Sequence, residues 1–95
     1  MESPSPPPSD RKGLRVLVVD DNAGDRWYFS ELLRSRDYVV LACEDAETAW
    51  EVYQGTPTPL ALVDLYMPGM DGTELCRRIK DHPEGQGTVI LGVTG

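Results

Sequence analysis

Residues 64–72, DLYMPGMDG, follow directly on a short apolar run and decide how this 95-residue chain folds. The apolar run ends abruptly in one carboxylate, Asp64, and a Pro-Gly turn and a helix start come next. In open α/β sheets, ligands bind just outside the carboxyl ends of the strands, which is where this acid is predicted to stand. A second apolar run, at 16–19, ends in the same way in Asp20 and Asp21. Three carboxylates that two strands deliver to one sheet edge indicate a site for a hard cation and an anion.

Apolar runs and amphipathic stretches alternate along the rest of the chain. Short strands that are buried on both faces and alternate with helices are typical of a parallel sheet between helical layers. The pattern therefore predicts an α/β domain of the type βαβαβαβ, in three layers, with right-handed crossovers. The predicted strands are 14–19, 38–42, 60–63 and 89–93, and the predicted helices are 25–36, 46–54 and a third that begins after Asp71 and ends at His82.

Two of the predicted helices carry specific local signals. Asp71, with Glu74 three residues later, resembles a capping box at the start of the third helix. In the first helix, Phe29, Leu32 and Leu33 share one apolar face, and charged residues occupy the other. The third helix has an apolar face at the same spacing, formed by Gly72, Leu75, Cys76 and Ile79. Both helices are therefore predicted to pack on the sheet through one side.

Charge and hydropathy exclude several classes of function. The net charge is −7, the isoelectric point is about 4.5 and basic residues do not cluster, so a nucleic-acid surface is not expected. No apolar run is long enough to span a bilayer and no signal peptide is recognisable, which predicts a cytoplasmic protein without membrane contact. Cys43 and Cys76 are spaced neither as a redox motif nor as metal ligands, which fits small core residues in a reducing compartment.

The composition divides the chain into two segments. Residues 1–13 are rich in proline and serine and have almost nothing apolar to bury, which predicts a disordered tail. Residues 14–95 can bury one modest core, so a single domain is predicted there.

Three motifs at successive strand ends resemble a known family. They read VVDDN at 18–22, LVDLYMPGMDG at 62–72 and ILGVTG at 90–95. In this order and at these places, they resemble the receiver domain of two-component response regulators, which also occurs within hybrid histidine kinases. The resemblance extends over about 14–95. It implies a flavodoxin-like, doubly wound parallel sheet with the strand order 2-1-3-4-5.

The resemblance also implies a role for each site residue. Asp64 would accept a phosphoryl group from a phosphohistidine on a histidine kinase or phosphotransfer protein, as a step of a phosphorelay. Asp20, Asp21 and Asp64 would hold Mg²⁺ together with the backbone carbonyl of Tyr66. Thr94 would be the switch hydroxyl that binds the phosphoryl oxygen. The chain would then be a signalling domain rather than an enzyme, with transfer to its own aspartate as its only chemistry.

The residues taken by themselves leave other interpretations open. Asp20 and Asp21 also suit the start of a helix, where acids are favourable, and Thr94 also suits an ordinary strand end. A strand-end nucleophile occurs in haloacid-dehalogenase-type enzymes as well. That family typically has a second Asp two residues after the first, whereas Tyr66 occupies this position.

The 95 residues depart from the family's pattern at one end. The family continues with a helix, a fifth strand that carries a lysine, and a last helix, and none of these is in the sequence. A missing lysine–phosphoryl contact removes a charge-assisted bond of roughly 1.5–3 kcal/mol. If the 95 residues are the whole molecule, we expect an incomplete fold, poor phosphorylation and a fourth strand, 89–93, whose open edge invites self-association. The alternative is a pseudo-receiver or fragment that only binds partner proteins.

Overall fold

One parallel sheet between helices forms the part of the protein that the structure describes. The computed structural model describes residues 13–93, within which the strand order is β2-β1-β3-β4. The elements are β1 (Arg15–Val19), α1 (Ala23–Arg34), β2 (Val39–Cys43), α2 (Ala46–Gly55), β3 (Leu60–Asp64), α3 (Gly72–Asp81), a 3₁₀ turn (Gly85–Gly87) and β4 (Val89–Val93). All three strand pairs are parallel. The predicted βαβαβαβ architecture and flavodoxin-like strand order are therefore confirmed for these four strands.

Two predictions concern residues outside the described part of the chain. The predicted tail, 1–13, lies outside it apart from Gly13, and so does the candidate switch residue Thr94. Both stay predictions.

The main hydrophobic core lies between the sheet and the pair α2 and α3. It consists of Leu17, Val19, Cys43, Ala46, Ala49, Tyr53, Ala61, Val63, Met67, Leu75 and Ile79. Alternate residues of a strand point to opposite faces, so Leu17 and Val19 lie on this side and Val16 and Val18 lie on the side of α1. All four are buried, which makes β1 a central strand covered on both faces.

The opposite face of the sheet is less well covered. α1 packs against β1 and β2, and Leu32, which was predicted to be buried, is 42% exposed. In β4, Ile90 packs against the core, so Val89 and Leu91 point to the side of α1, where they are 60% and 51% exposed. The predicted apolar face of α1 is thus wrong at Leu32, because α1 covers only the β1–β2 half of that face.

The helix starts follow from side-chain caps. The side chain of Asn22 accepts a hydrogen bond from the Asp25 amide at 2.8 Å, so α1 begins two residues before the predicted start. The side chain of Asp71 accepts from the Glu74 amide at 2.9 Å, as the capping box requires. The reciprocal half does not form, because the Glu74 carboxylate binds Arg77 and Arg78 instead.

A buried polar chain ties α2 to the two loops that precede β3 and β4. The Thr88 hydroxyl donates to the carbonyl of Thr58 at 2.6 Å. Since its proton is used there, the Tyr53 hydroxyl, 2.7 Å away, donates to Thr88 Oγ1. Tyr53 is fully buried and Thr88 and Thr58 nearly so, which leaves no room for solvent to replace a lost partner.

This chain of hydrogen bonds predicts that two similar substitutions, each removing one hydroxyl, lower the stability of the protein by different amounts. Tyr53→Phe removes one donor and is expected to lower the free energy of unfolding by about 1 kcal/mol. Thr88→Val leaves both the Tyr53 hydroxyl and the Thr58 carbonyl buried without a hydrogen-bond partner. The expected loss in the free energy of unfolding is therefore larger, about 2–3 kcal/mol. Urea unfolding of both variants measures the difference, with Tyr28→Phe, whose ring is 58% exposed, as the control. Equal costs for the two buried variants would contradict this assignment of donors.

Candidate functional site

The predicted carboxylates converge at one edge of the sheet. β1 and β3 are neighbours with Val19 opposite Val63, so the residues that follow them emerge side by side. Asp20, Asp21 and Asp64 each offer one carboxylate oxygen, and these oxygens all lie within 4.8 Å of one another. Asp20 is buried, Asp64 is half-buried and Asp21 is exposed, so the cluster opens to solvent on one side.

Asp20 is the innermost of the three acids. Its Oδ1 accepts a hydrogen bond from the Asn22 amide at 2.9 Å, and its backbone carbonyl accepts one from Arg26 Nη1 at 2.8 Å. Burial raises the pKa of the Asp20 carboxyl above 3.8, and the negative charges nearby, foremost Asp64, add to this while the Asn22 amide opposes it. The site therefore holds charge that the fold by itself disfavours.

Asp64 is held in a defined orientation at the end of β3. Its Oδ1 accepts a hydrogen bond from the Tyr66 amide at 3.0 Å. The next amide, that of Leu65, donates to the Val93 carbonyl at 2.9 Å, so the backbone after the strand is still tied to β4. The Asp64 carboxylate is thus oriented by the backbone of the loop that follows β3 and remains accessible to solvent.

The loop after β3 is packed at its middle and capped at its end. The Met67 side chain is buried against the core, whereas the Tyr66 side chain is 72% exposed. Gly69 adopts a positive φ of 76°, and the Met70 amide donates to Glu47 Oε2 of α2 at 2.9 Å. These contacts place the Tyr66 backbone between two fixed points, Asp64 and the start of α3.

The structure brings three residues to this site that were not predicted from the sequence. Asn22 caps α1 and binds Asp20, and an Asn directly before a helical pattern could have been recognised as a cap. Arg26 and Glu47 contact the site from two different helices. Nothing in the sequence signals these contacts, which join residues six and 23 positions apart and depend on how the helices pack.

The donor set fits a small hard cation. Mg²⁺ binds oxygen ligands in an octahedron at 2.0–2.1 Å and usually keeps several waters, which places opposite ligands about 4.1 Å apart. Carboxylate oxygens within 4.8 Å of one another suit such an ion if some bind directly and others through water. A cation here would also relieve the repulsion between the three acids.

The histidine and the two cysteines contribute to packing rather than to the carboxylate site. His82 is the C-cap of α3, at the opposite end of that helix from the carboxylates, as predicted. Its ring lies edge-on to Tyr53 with 5.2 Å between the ring centroids. Cys43 is buried in the core as predicted, and burial raises the pKa of its thiol to about 11; Cys76 is partly buried.

The fold and the strand-end acids define a class of protein, and the comparisons agree with it. The family model of the response regulator receiver domain matches residues 16–95. The chain belongs to this family, and it is a receiver domain of the kind found in two-component systems. Receiver domains of this family are signalling domains that typically bind Mg²⁺ and carry phosphate on an aspartate.

Two of the relatives come from a plant and a bacterium. The chain is 38% identical over 74 residues to a two-component response regulator, ORR6 of Oryza sativa subsp. japonica, covering 75% of this chain and 44% of that protein. It is 33% identical over 81 residues to the signal transduction histidine-protein kinase BarA of Escherichia coli K12, covering 85% of this chain and 9% of that protein. The chain thus spans less than half the length of these curated relatives.

A solved structure shows the same fold with metal. The receiver domain of the histidine kinase CKI1 from Arabidopsis thaliana, complexed with Mg²⁺, matches with a TM-score of 0.76 and 31% identity, covering 88% of this chain and 69% of that chain.

Within residues 13–93, no helix has the length and apolar character that a bilayer crossing requires.

Proposed function

We propose that this chain accepts a phosphoryl group on Asp64 from a phosphohistidine of a histidine kinase or phosphotransfer protein. The observation that carries the proposal is the convergence of Asp20, Asp21 and Asp64 at the end of two neighbouring strands. The receiver of a histidine kinase among its structural relatives supports the choice of partner. The test is incubation of the whole chain with Mg²⁺ and a small phosphodonor, followed by intact-mass measurement of wild type and Asp64→Asn.

The chemistry assigned to the chain is a transfer between two nucleophiles. A carboxylate oxygen of Asp64 attacks the phosphorus, the P–N bond to the donor imidazole breaks, and the imidazole nitrogen keeps the electron pair and takes up a proton. Asp64 Oδ1 is oriented by the Tyr66 amide, so we assign Oδ2 as the attacking oxygen. Such transfers depend mostly on positioning and charge neutralisation, because the nucleophile and the phosphoryl group are both anionic.

The proposed metal ligands are Asp20, Asp21, Asp64 and the backbone carbonyl of Tyr66. When bound there, Mg²⁺ supplies the neutralising charge that an anionic phosphoryl group needs near three carboxylates. Thr94 is proposed as the hydroxyl that binds the phosphoryl oxygen after transfer. In this role the chain is a signalling domain, with no turnover of a separate substrate.

Two further parts of the proposal concern surroundings and self-association. Both cysteines are free thiols, which supports a reducing compartment such as the cytoplasm. Within the described residues β2 and β4 are the two outer strands of the sheet, and the exposed Val89 and Leu91 make β4 our candidate for a surface that pairs with another chain.

Asp20→Asn is expected to stabilise the metal-free chain and to abolish its response to Mg²⁺. Burial and like charges raise the folded-state pKa of Asp20, so its ionisation disfavours folding wherever pH exceeds that pKa. The variant should therefore melt higher than wild type at neutral pH, on the scale of about 4–8 °C per kcal/mol. This advantage should shrink as pH falls through the folded-state pKa and disappear below 3.8, where wild-type Asp20 is protonated in both states.

Thermal melts with and without Mg²⁺ measure both effects. At free Mg²⁺ of about 100 times the dissociation constant, wild type should gain about 2.7 kcal/mol and Asp20→Asn almost none. Asp81→Asn is the control, since it removes the same charge from an exposed position at the far end of α3. A full Mg²⁺ response in Asp20→Asn would exclude Asp20 as a ligand.

A further inference from the structure

The carboxylate of Glu47 reaches from α2 into the loop that leads from Asp64 to α3. Glu47 lies in the first turn of α2, and its Oε2 accepts the hydrogen bond of the Met70 amide at 2.9 Å. The two residues are 23 positions apart in sequence, so this bond joins the site loop to a neighbouring helix. A backbone amide bound to a carboxylate forms a charge-assisted hydrogen bond, which is stronger than a neutral one.

We propose that Glu47 is a positioning residue for the site: its carboxylate holds the loop 66–70, and with it the Tyr66 carbonyl, in the geometry that binds Mg²⁺. The inference rests on the proposed function for its metal, but the Glu47–Met70 bond itself does not depend on that function. Glu47 touches no reacting atom and acts only through the loop.

The other contacts of the loop do not fix the backbone at Met70. At its start, the Tyr66 amide binds Asp64 Oδ1, and in its middle the Met67 side chain is buried in the core. Among the described hydrogen bonds, Glu47 is the only side chain of another helix that holds the loop backbone. The partly buried Met70 side chain also packs against the core, so the bond from Glu47 adds a fixed direction for the Met70 amide and the backbone around it.

Gly69 provides the space that this bond needs. A Cβ on Gly69 would lie 2.9 Å from Glu47 Oε2, which is too close for an ordinary contact. Gly69 also has a positive φ of 76°, which turns the chain so that the next amide points at α2. Gly69 and Glu47 thus act together: the turn at Gly69 directs the Met70 amide towards α2, and the Glu47 carboxylate accepts its hydrogen bond.

The first experiment compares Mg²⁺ affinity across four forms of the whole chain by isothermal titration calorimetry. Glu47→Ala is expected to weaken Mg²⁺ binding roughly tenfold, the lower end of the usual loss when an outer partner of a metal site is removed. Glu47→Gln keeps an acceptor oxygen for the Met70 amide and should stay close to wild type. Glu51→Ala, one turn further along the exposed side of α2, removes an equal charge and should change nothing.

A second readout needs no metal. Amide hydrogen exchange at Met70 should be faster in Glu47→Ala than in wild type or Glu51→Ala, while the melting temperature changes little because the hydrogen bond is exposed to solvent. In a double-mutant cycle, Gly69→Ala should lose less stability in the Glu47→Ala background than in wild type, because the carboxylate it would meet is gone.

The outcomes separate this inference from the proposed function. Unchanged Mg²⁺ affinity in Glu47→Ala overturns the positioning role, and so does a Glu47→Gln variant that binds as weakly as Glu47→Ala, since charge alone would then explain the loss. Unchanged exchange at Met70 overturns it as well. If wild type binds no Mg²⁺ while Glu47 still protects the Met70 amide, the metal part of the proposed function fails and the loop contact stands without a role in metal binding.

Discussion

Asp64→Asn should leave the chain folded and wholly unable to take up a phosphoryl group. Wild type incubated with Mg²⁺ and acetyl phosphate should gain the mass of one phosphoryl group, because Asp64 is half-buried yet open to solvent and is oriented by the Tyr66 amide. The variant retains the oxygen that accepts this hydrogen bond but loses the nucleophile, so the gain should disappear. Intact-mass spectrometry after a fixed incubation measures the difference, and circular dichroism verifies the fold.

Two companion variants make this result specific. Asp81→Asn, an exposed acid at the far end of α3, should be labelled like wild type. Asp21→Asn keeps the nucleophile but removes a proposed metal ligand, so its labelling should fall sharply. Labelling of Asp64→Asn would place the acceptor elsewhere. No labelling of wild type, combined with retained binding to a histidine kinase, would favour the pseudo-receiver interpretation.

Gly72→Ala should be among the most destabilising single substitutions in the domain. A Cβ at this position would overlap the Asp64 carbonyl oxygen and would lie 2.6 Å from Leu65 Cα, both of them backbone atoms that cannot rotate away. Relief requires α3 to move away from the end of β3, which opens the core at Leu75. We expect a loss of about 3 kcal/mol or more in the free energy of unfolding, and weaker Mg²⁺ binding because Asp64 moves with the strand.

Urea unfolding checks this prediction, with Gly55→Ala as the matched control. Gly55 is the last residue of α2, and apart from its chain neighbours and its own helix backbone no atom lies within 4 Å of its ideal Cβ position. The same substitution should therefore be neutral or stabilise the protein there by about 0.5–1 kcal/mol through the lower entropy of the unfolded chain. A Gly72→Ala variant as stable as wild type would show that the contact between α3 and β3 is looser than described.

The sequence alone predicted the elements whose signals are local. Strand β4 was predicted at its observed bounds, and β3 was predicted over 60–63, one residue short of its observed end at Asp64. A buried strand is a short apolar run, and a cap is an Asp, Asn, Ser or Thr two or three residues before the amide it binds, so both can be read within a few positions. The convergence of Asp20 and Asp64 was predictable too, because parallel strands deliver their carboxyl ends to one edge.

The tertiary structure decided what depends on distance between separate elements. Only the packing of α2 brings Glu47 to the Met70 amide, and only the approach of α3 to β3 makes Gly72 irreplaceable. The exposure of Leu32 likewise depends on how far α1 extends over the sheet, which its own periodicity cannot reveal. Periodicity and caps depend on residues a few positions apart, so the sequence shows them directly. Close contacts between elements join residues far apart in sequence and arise only from packing in three dimensions.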